Sequence, residues 1–393
     1  MRPALLVAFA LSLLSHAHAQ GDGSFASQIA KVKALLVMPL DGGDEAGTAS
    51  TLAATAVRAE GETTFGFNQQ VGPDMESALR EVLRFHQLRH RQLPSGFNVQ
   101  LAFSEQYSPK DGPSAAVACA LLLESLISGD ELDQSFAVTG DMNADGSVQP
   151  ISGVSAKIRG ATRGGSTLVA IPLENRRRAL DLYLDAGPAP FLAVQAFTID
   201  SFDQALALAL GAKPAEIQES IDTFSQIQAA LANQPNPSAV LRNQAVKDRL
   251  ALALQKAPNH LSAALLLADA SGRLPKTLTL RGSLEALDRA TASVIGAIDQ
   301  DLTATSTLDR GRIAAASSDL SRLRPKIDPR TRPYADSLED FSKILSDGVA
   351  RPPTTQRADV ELSQRLAMAI RRVQAEEKKL QDNPAIREEL MQD

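Results

Sequence analysis

The sequence has 393 residues, 44% of them hydrophobic and 22% charged, a globular composition with room for two ordinary domains. A formal net charge of -6 argues against non-specific binding to nucleic acid or an anionic membrane, and the absence of Trp with only 4% aromatics argues against stacking on bases or sugars. The single cysteine, Cys119, excludes an intramolecular disulfide and a Cys-rich zinc site.

Residues 1–19 read as an export signal. Arg2 makes a short positive start, Ala4 to Leu14 is almost wholly apolar, and Ala17-His18-Ala19 sets small residues where a signal peptidase reads them, with cleavage expected before Gln20. The apolar run is too short to span a bilayer stably, so a cleaved signal is expected rather than an anchor. Either outcome leaves the body outside the cytoplasm, with a bacterial periplasm as the expected destination.

From residue 24 to about 211, strand and helix patterns alternate, predicting an α+β domain. Residues 32–40 (VKALLVMPL) read as a buried strand. The following Gly42-Gly43-Asp44-Glu45-Ala46-Gly47-Thr48 is the nearest approach to a phosphate-binding loop, but it lacks the lysine and carries two acids where phosphates would sit. It reads as a surface loop. Asp74 is placed to cap a helix over 75–92, with Met75, Leu79, Val82, Leu83 and Phe85 near helical spacing. His86 and His90 on that helix have i, i+4 spacing suited to a metal. No third ligand is evident, so they read as a basic, solvated face and no metal is expected.

A strand is expected over 99–103, then a helix over 114–127 whose apolar run contains Cys119, a packed and inert thiol. A short strand over 136–140, a helix over 152–163, a strand over 166–171 and a closing helix over 201–210 complete the region. Beyond about 211 strand signals vanish, and residues 212–393 read as an all-helical domain broken at Pro235 and Pro237, Pro325 to Pro333, and Pro352 and Pro353. Two small-residue helices meeting at Ala257-Pro258-Asn259 resemble one tetratricopeptide-like pair, without a second copy at the period of about 34 residues that an array needs. The tail from Glu361 is highly charged and helical in propensity.

The chemistry concentrates in Ser108-Pro109-Lys110-Asp111-Gly112-Pro113-Ser114-Ala115-Ala116. Gly112 and the prolines build a tight turn, with Ser114 where the turn enters a helix. A serine there either caps the helix or acts as a nucleophile beside N–H groups that face a developing oxyanion. The mature histidines, His86, His90 and His260, lie away from this turn, so a Ser–His–Asp triad has little support.

The stretch resembles the proteolytic domain of Lon proteases. Pro109 to Ala116 (PKDGPSAA) is similar to that family's PKDGPSAG, Thr139-Gly140-Asp141 to its TGE-like step, and Pro150 to Lys157 (PISGVSAK) to its PIGGLKEK, with the serine-to-lysine spacing kept. Arg163-Gly164-Gly165, Ile171 to Asn175 (IPLEN) and Ser201 to Leu210 fit later family patterns. The resemblance implies a mixed sheet with packed helices and a Ser–Lys dyad: Ser114 as nucleophile and Lys157 as base, with Thr139 either holding the lysine or serving only as a strand-end hydroxyl. Asp111 matches a family position too, either as a turn former or as a catalytic group. To act as base Lys157 must be neutral, and burial beside Val154 and Ile158 would bring its pKa from about 10.4 toward ~7–8, roughly 3–4 kcal/mol of differential solvation.

Ala116 and Ser152 stand where the family has glycine, and Gln100 and Ala102 where it often has histidine. A family-like acidic residue has no evident place near Ala53. No ATPase core is recognised. The expectation is an exported, ATP-independent serine endopeptidase that needs no cofactor and acts on peptides or unfolded polypeptides. Its helical domain would recruit protein partners or mediate assembly, family members being hexameric rings. The alternatives are an inactive scaffold, or a peptidase that only cuts itself near 235 or 325.

Overall fold

The computed structural model describes residues 24–39, 45–105, 110–232, 234, 237–299 and 310–392. The export-signal segment, Gly42 to Asp44, Ser108, Pro109 and Pro235 lie outside them. The first half of the chain runs β1 (Ile29–Pro39), β2 (Glu45–Arg58), β3 (Thr64–Phe67), α1 (Pro73–His90) and β4 (Phe97–Phe103). A 3-10 turn, Pro113–Ala115, leads into α2 (Ala116–Ser128), followed by β5 (Phe136–Val138), β6 (Asp141–Met142), β7 (Val148–Gln149) and α3 (Val154–Arg163). Then come β8 (Leu168–Pro172), α4 (Arg176–Ala186), α5 (Ala189–Ala193), β9 (Gln195–Ile199) and α6 (Phe202–Ala209).

Seven strands form one mixed sheet in the order β3-β4-β2-β1-β5-β8-β9, with β6 and β7 as a separate ribbon. The β1–β2 and β2–β4 pairs are antiparallel, while β1–β5, β5–β8 and β8–β9 are parallel. Both faces are covered, as a parallel sheet requires. The two-residue period of the strands sorts side chains between two cores. Val32, Ala34, Leu36, Phe136 and Val138 face α1, α2 and α6, whereas Leu35, Ala137, Val169 and Ile171 face α3, α4 and α5.

Several expectations shift in detail. The glycine pattern read as a surface loop contributes Glu45 to Thr48 to β2, and Gly47 is buried. β2 escapes a sequence reading because its alternation is between Ala and Thr, too weak a contrast to mark a face. Asp74 does not cap α1; Gly72 is the N-cap residue, and the Asp111 carboxylate accepts the Met75 N–H at 3.3 Å. An added Cβ at Gly72 would sit 2.0 Å from Asp111 Cγ, so only glycine admits that carboxylate. The His86–His90 pair is not a solvated face, because His86 is fully buried.

The later helices are α7 (Ala215–Leu231), α8 (Pro237–Leu241), α9 (Gln244–Lys256), α10 (Leu261–Ala270), α11 (Leu280–Asp299), α12 (Arg310–Leu323), α13 (Arg332–Ala350), α14 (Gln356–Asp382) and α15 (Pro384–Gln392). Strands end near residue 211 among the described residues, but the core does not change there. Phe224, Ile227, Leu250, Ala253 and Leu266 join the core beneath α3 and α4. The α9–α10 turn also satisfies the outer edge of β9: Thr198 donates to the Asn259 carbonyl at 2.9 Å, Asn259 Nδ2 returns a bond to the Thr198 carbonyl at 2.9 Å, and Ala196 donates to Ser262 Oγ at 2.9 Å. An edge strand left open would be a pairing hazard, and this helix pair closes it. A third core, built on Leu287, Ile313, Leu320, Leu338, Phe341 and Leu366, gathers α11 to α14. No helix among the described residues is long and apolar enough to cross a membrane.

Candidate active site

The site lies at the C-terminal end of β5, where a parallel strand stops and both sheet faces can contribute side chains. Gly112 has φ of +93°, a conformation that favours glycine, and its N–H bonds the Asp111 carboxylate at 2.7 Å. This turn delivers Ser114 into the short 3-10 segment ahead of α2. Ser114 is the N-cap residue of neither segment, those positions being Gly112 and Ala115. The Ser114 carbonyl accepts from Gly140 N–H at 2.9 Å and from Thr139 Oγ1 at 3.1 Å, which ties the serine turn to the end of β5.

Lys157 arrives from the opposite face, in the first turn of α3, and is 3% exposed. Its Nζ donates to Thr139 Oγ1 at 3.1 Å. Thr139 is therefore the common partner: its hydroxyl accepts from the lysine and donates to the serine's own carbonyl. No direct hydrogen bond joins the Ser114 hydroxyl to Lys157. Burial pushes the Lys157 pKa down to about 8, against a smaller opposing pull from the Glu45 carboxylate. Glu45, at the start of β2, is an acidic neighbour that the sequence reading does not single out, because only the hairpin of β1 and β2 carries its charge toward the lysine.

Two devices set α3 at its depth. A Cβ on Gly47 would stand 1.9 Å from the Ala156 carbonyl oxygen, and one on Gly160 would stand 2.3 Å from the Gly47 carbonyl carbon. The helix backbone thus rests directly on the β2 backbone, a distance only paired glycines permit. Asn175, the last residue of IPLEN, is buried and holds the loop before α3 through both ends of its amide. It accepts from Ile151 N–H and donates to the Ile151 carbonyl, each at 2.9 Å.

The departures from glycine are accommodated. Ala116 is helical, with φ of -55° and ψ of -48°, and its methyl is buried in the core. Ser152 is exposed and has no positive φ. Cys119 is buried and its thiol is pushed up to about 12 by desolvation, which leaves it an unreactive core residue.

Comparisons with known proteins agree with this geometry. Residues 47–209 match the family model of the Lon protease (S16) C-terminal proteolytic domain. Lon protease 1 of Herpetosiphon aurantiacus is 32% identical over 177 residues, which is 42% of this chain and 21% of that protein. Lon protease of Escherichia coli K12 is 29% identical over 181 residues, 44% of this chain and 22% of that protein. Lon protease of Desulforamulus reducens is 30% identical over 146 residues, 37% of this chain and 17% of that protein. The matched stretches thus span about a fifth of the length of these relatives. Residues 47–209 therefore carry a domain of the Lon proteolytic type.

Proposed function

We propose that the chain is a serine endopeptidase, exported and independent of nucleotide, in which Ser114 attacks the peptide carbonyl and Lys157 manages the proton. The observation that carries this reading is the buried Lys157 ammonium bonded through Thr139 to the serine turn, with its proton loosened by desolvation. A serine hydroxyl is a weak nucleophile, and a neutral amine at this position can accept its proton as Oγ bonds to the carbonyl carbon. The oxyanion that forms faces the N-terminal end of the 3-10 turn, where the Ser114 N–H has no helical partner and Pro113 has no N–H at all. Lys157 then returns the proton to the leaving amine. Water, deprotonated by the same lysine, hydrolyses the acyl-serine and restores the site.

Thr139, Asp111 and Gly112 act as positioning residues. Thr139 aims the amine, Asp111 joins the turn to the first turn of α1, and Gly112 supplies the backbone conformation. Substrates are peptides or unfolded polypeptides. The reading includes export through residues 1–19, a homo-oligomeric assembly, and helices after 211 that recruit protein partners.

The test is hydrolysis of an unfolded polypeptide without ATP by wild type, Ser114→Ala and Lys157→Ala. Cleavage by wild type alone supports the dyad. Equal silence of all three would favour a scaffold, and a change only in the protein's own mass, absent in Ser114→Ala, would favour self-processing. Export is checked by the N-terminal residue of the mature protein, expected at Gln20.

A further inference from the structure

Between α1 and α2 lies a second cluster that the proposed reaction does not use. His86 and His90 are one helical turn apart on α1, and Glu124 meets them from α2, with one ligand atom from each all within 4.8 Å of one another. His86 is fully buried, and its Nε2 lies 3.0 Å from the Ala120 carbonyl. A carbonyl only accepts, so Nε2 carries the hydrogen, and the neutral ring keeps its lone pair on Nδ1. That Nδ1 has no hydrogen-bond partner, and it points at Glu124 Oε2 from 3.4 Å. A buried imidazole lone pair and a carboxylate oxygen, both acceptors, thus face the same point. His90 Nε2 approaches the same carboxylate oxygen to 2.8 Å.

We propose that His86, His90 and Glu124 bind one divalent transition-metal ion, zinc by the chemistry of the donors, clipping α1 to α2. Two imidazole nitrogens and one carboxylate oxygen are a common zinc set, with metal–ligand distances of ~2.0–2.2 Å and a fourth position open to water. His90 is the partly exposed member, at 21%, which gives the ion an entry route and the water its place. The outer contacts expected of such a site exist independently. The far nitrogen of His86 is held by a backbone carbonyl, and Glu124 Oε1 accepts from Arg89 Nε at 3.3 Å, leaving Oε2 for the ion. Arg89 is itself fixed by Asp203 at 2.8 Å. Because α2 begins at the serine turn, an ion at Glu124 fixes how that helix sits on α1.

The test uses the untagged chain, stripped with a chelator and dialysed, then titrated with zinc alone by calorimetry and with Co(II) by absorption spectroscopy. One ion per chain is expected, with an intense tetrahedral Co(II) spectrum and a rise in thermal midpoint on adding zinc. His90→Gln and Glu124→Gln should each weaken binding by more than roughly tenfold and abolish the midpoint rise. His90 is only partly buried, so that variant is expected to retain the fold even if Glu124→Gln does not, as circular dichroism would show. Absence of saturable binding in wild type, or unchanged affinity in a folded His90→Gln variant, overturns the proposal.

Discussion

The helices beside Ser114 and Lys157, the pair proposed to be catalytic, are held in opposite ways. In α2, every residue from Ala116 to Leu126 is buried, most of them apolar and packed against the sheet, α1 and α6, so apolar area holds the helix in place from all sides. In α3, Val154, Ile158 and Ala161 are buried against the core, but the turn facing β2 is Gly160 lying on Gly47. A helix seated by many side chains tolerates the loss of a few methyl groups. One seated by backbone on backbone tolerates no added methyl. The serine half of the site is thus the robust half, and the lysine half the fragile one.

The largest effect should come from the pair itself. Ser114→Ala and Lys157→Ala are each expected to lower kcat by on the order of 10³-fold or more, while circular dichroism stays native. If only Ser114→Ala did so, Lys157 would not be the base and the comparison would lose its functional content. Next comes the stability cost of the lysine. Its folded pKa of about 8 lies below the usual 10.5, so the unfolded chain binds more protons between those values. The cost is full below pH 8 and fades as pH rises toward 10.5. Lys157→Met, which keeps the volume, is expected to gain at most about 3 kcal/mol at pH 7 and nothing near pH 10.5, read by denaturant unfolding.

Third is the direct contrast between the helices. Gly160→Ala should cost roughly 1–3 kcal/mol by overpacking and reduce kcat, because α3 must lift and carry Lys157 with it. Cys119→Ala in α2 should cost about 1 kcal/mol and leave kcat within roughly threefold. Equal losses of kcat from the two would break the comparison. The smallest effect sharpens it. Glu45→Gln removes the charge that raises the Lys157 pKa, so the ascending limb of the pH–rate profile, expected near pH 8, should move to lower pH by less than about one unit.

Much of the site was legible because its parts are local. The Lys110 to Ala116 turn, the short strand that begins at Phe136 and the helix bearing Lys157 are written in short-range patterns of Gly, Pro and apolar period, and they stand close to where those patterns place them. The long strand β2 was not legible, because Ala and Thr alternate without marking a buried face. The 3-10 entry to α2 was read as plain helix, since one residue's difference in hydrogen-bond step leaves no trace in composition.

By itself, the sequence determined a serine turn entering one helix and a lysine on a later one, the change from mixed to helical grammar near residue 211, and the inert setting of Cys119. Only the tertiary structure decided that Thr139 bridges the pair, that Gly47 and Gly160 touch, that Glu45 faces Lys157, and that Glu124 completes the group begun by His86 and His90. Each of these joins residues set apart in the chain, and their meeting depends on sheet register and helix crossing rather than on any local pattern. The α9–α10 pair shows the same physics at larger scale. Its helical signal was plain, but its task of sealing the β9 edge came from backbone groups about sixty residues away.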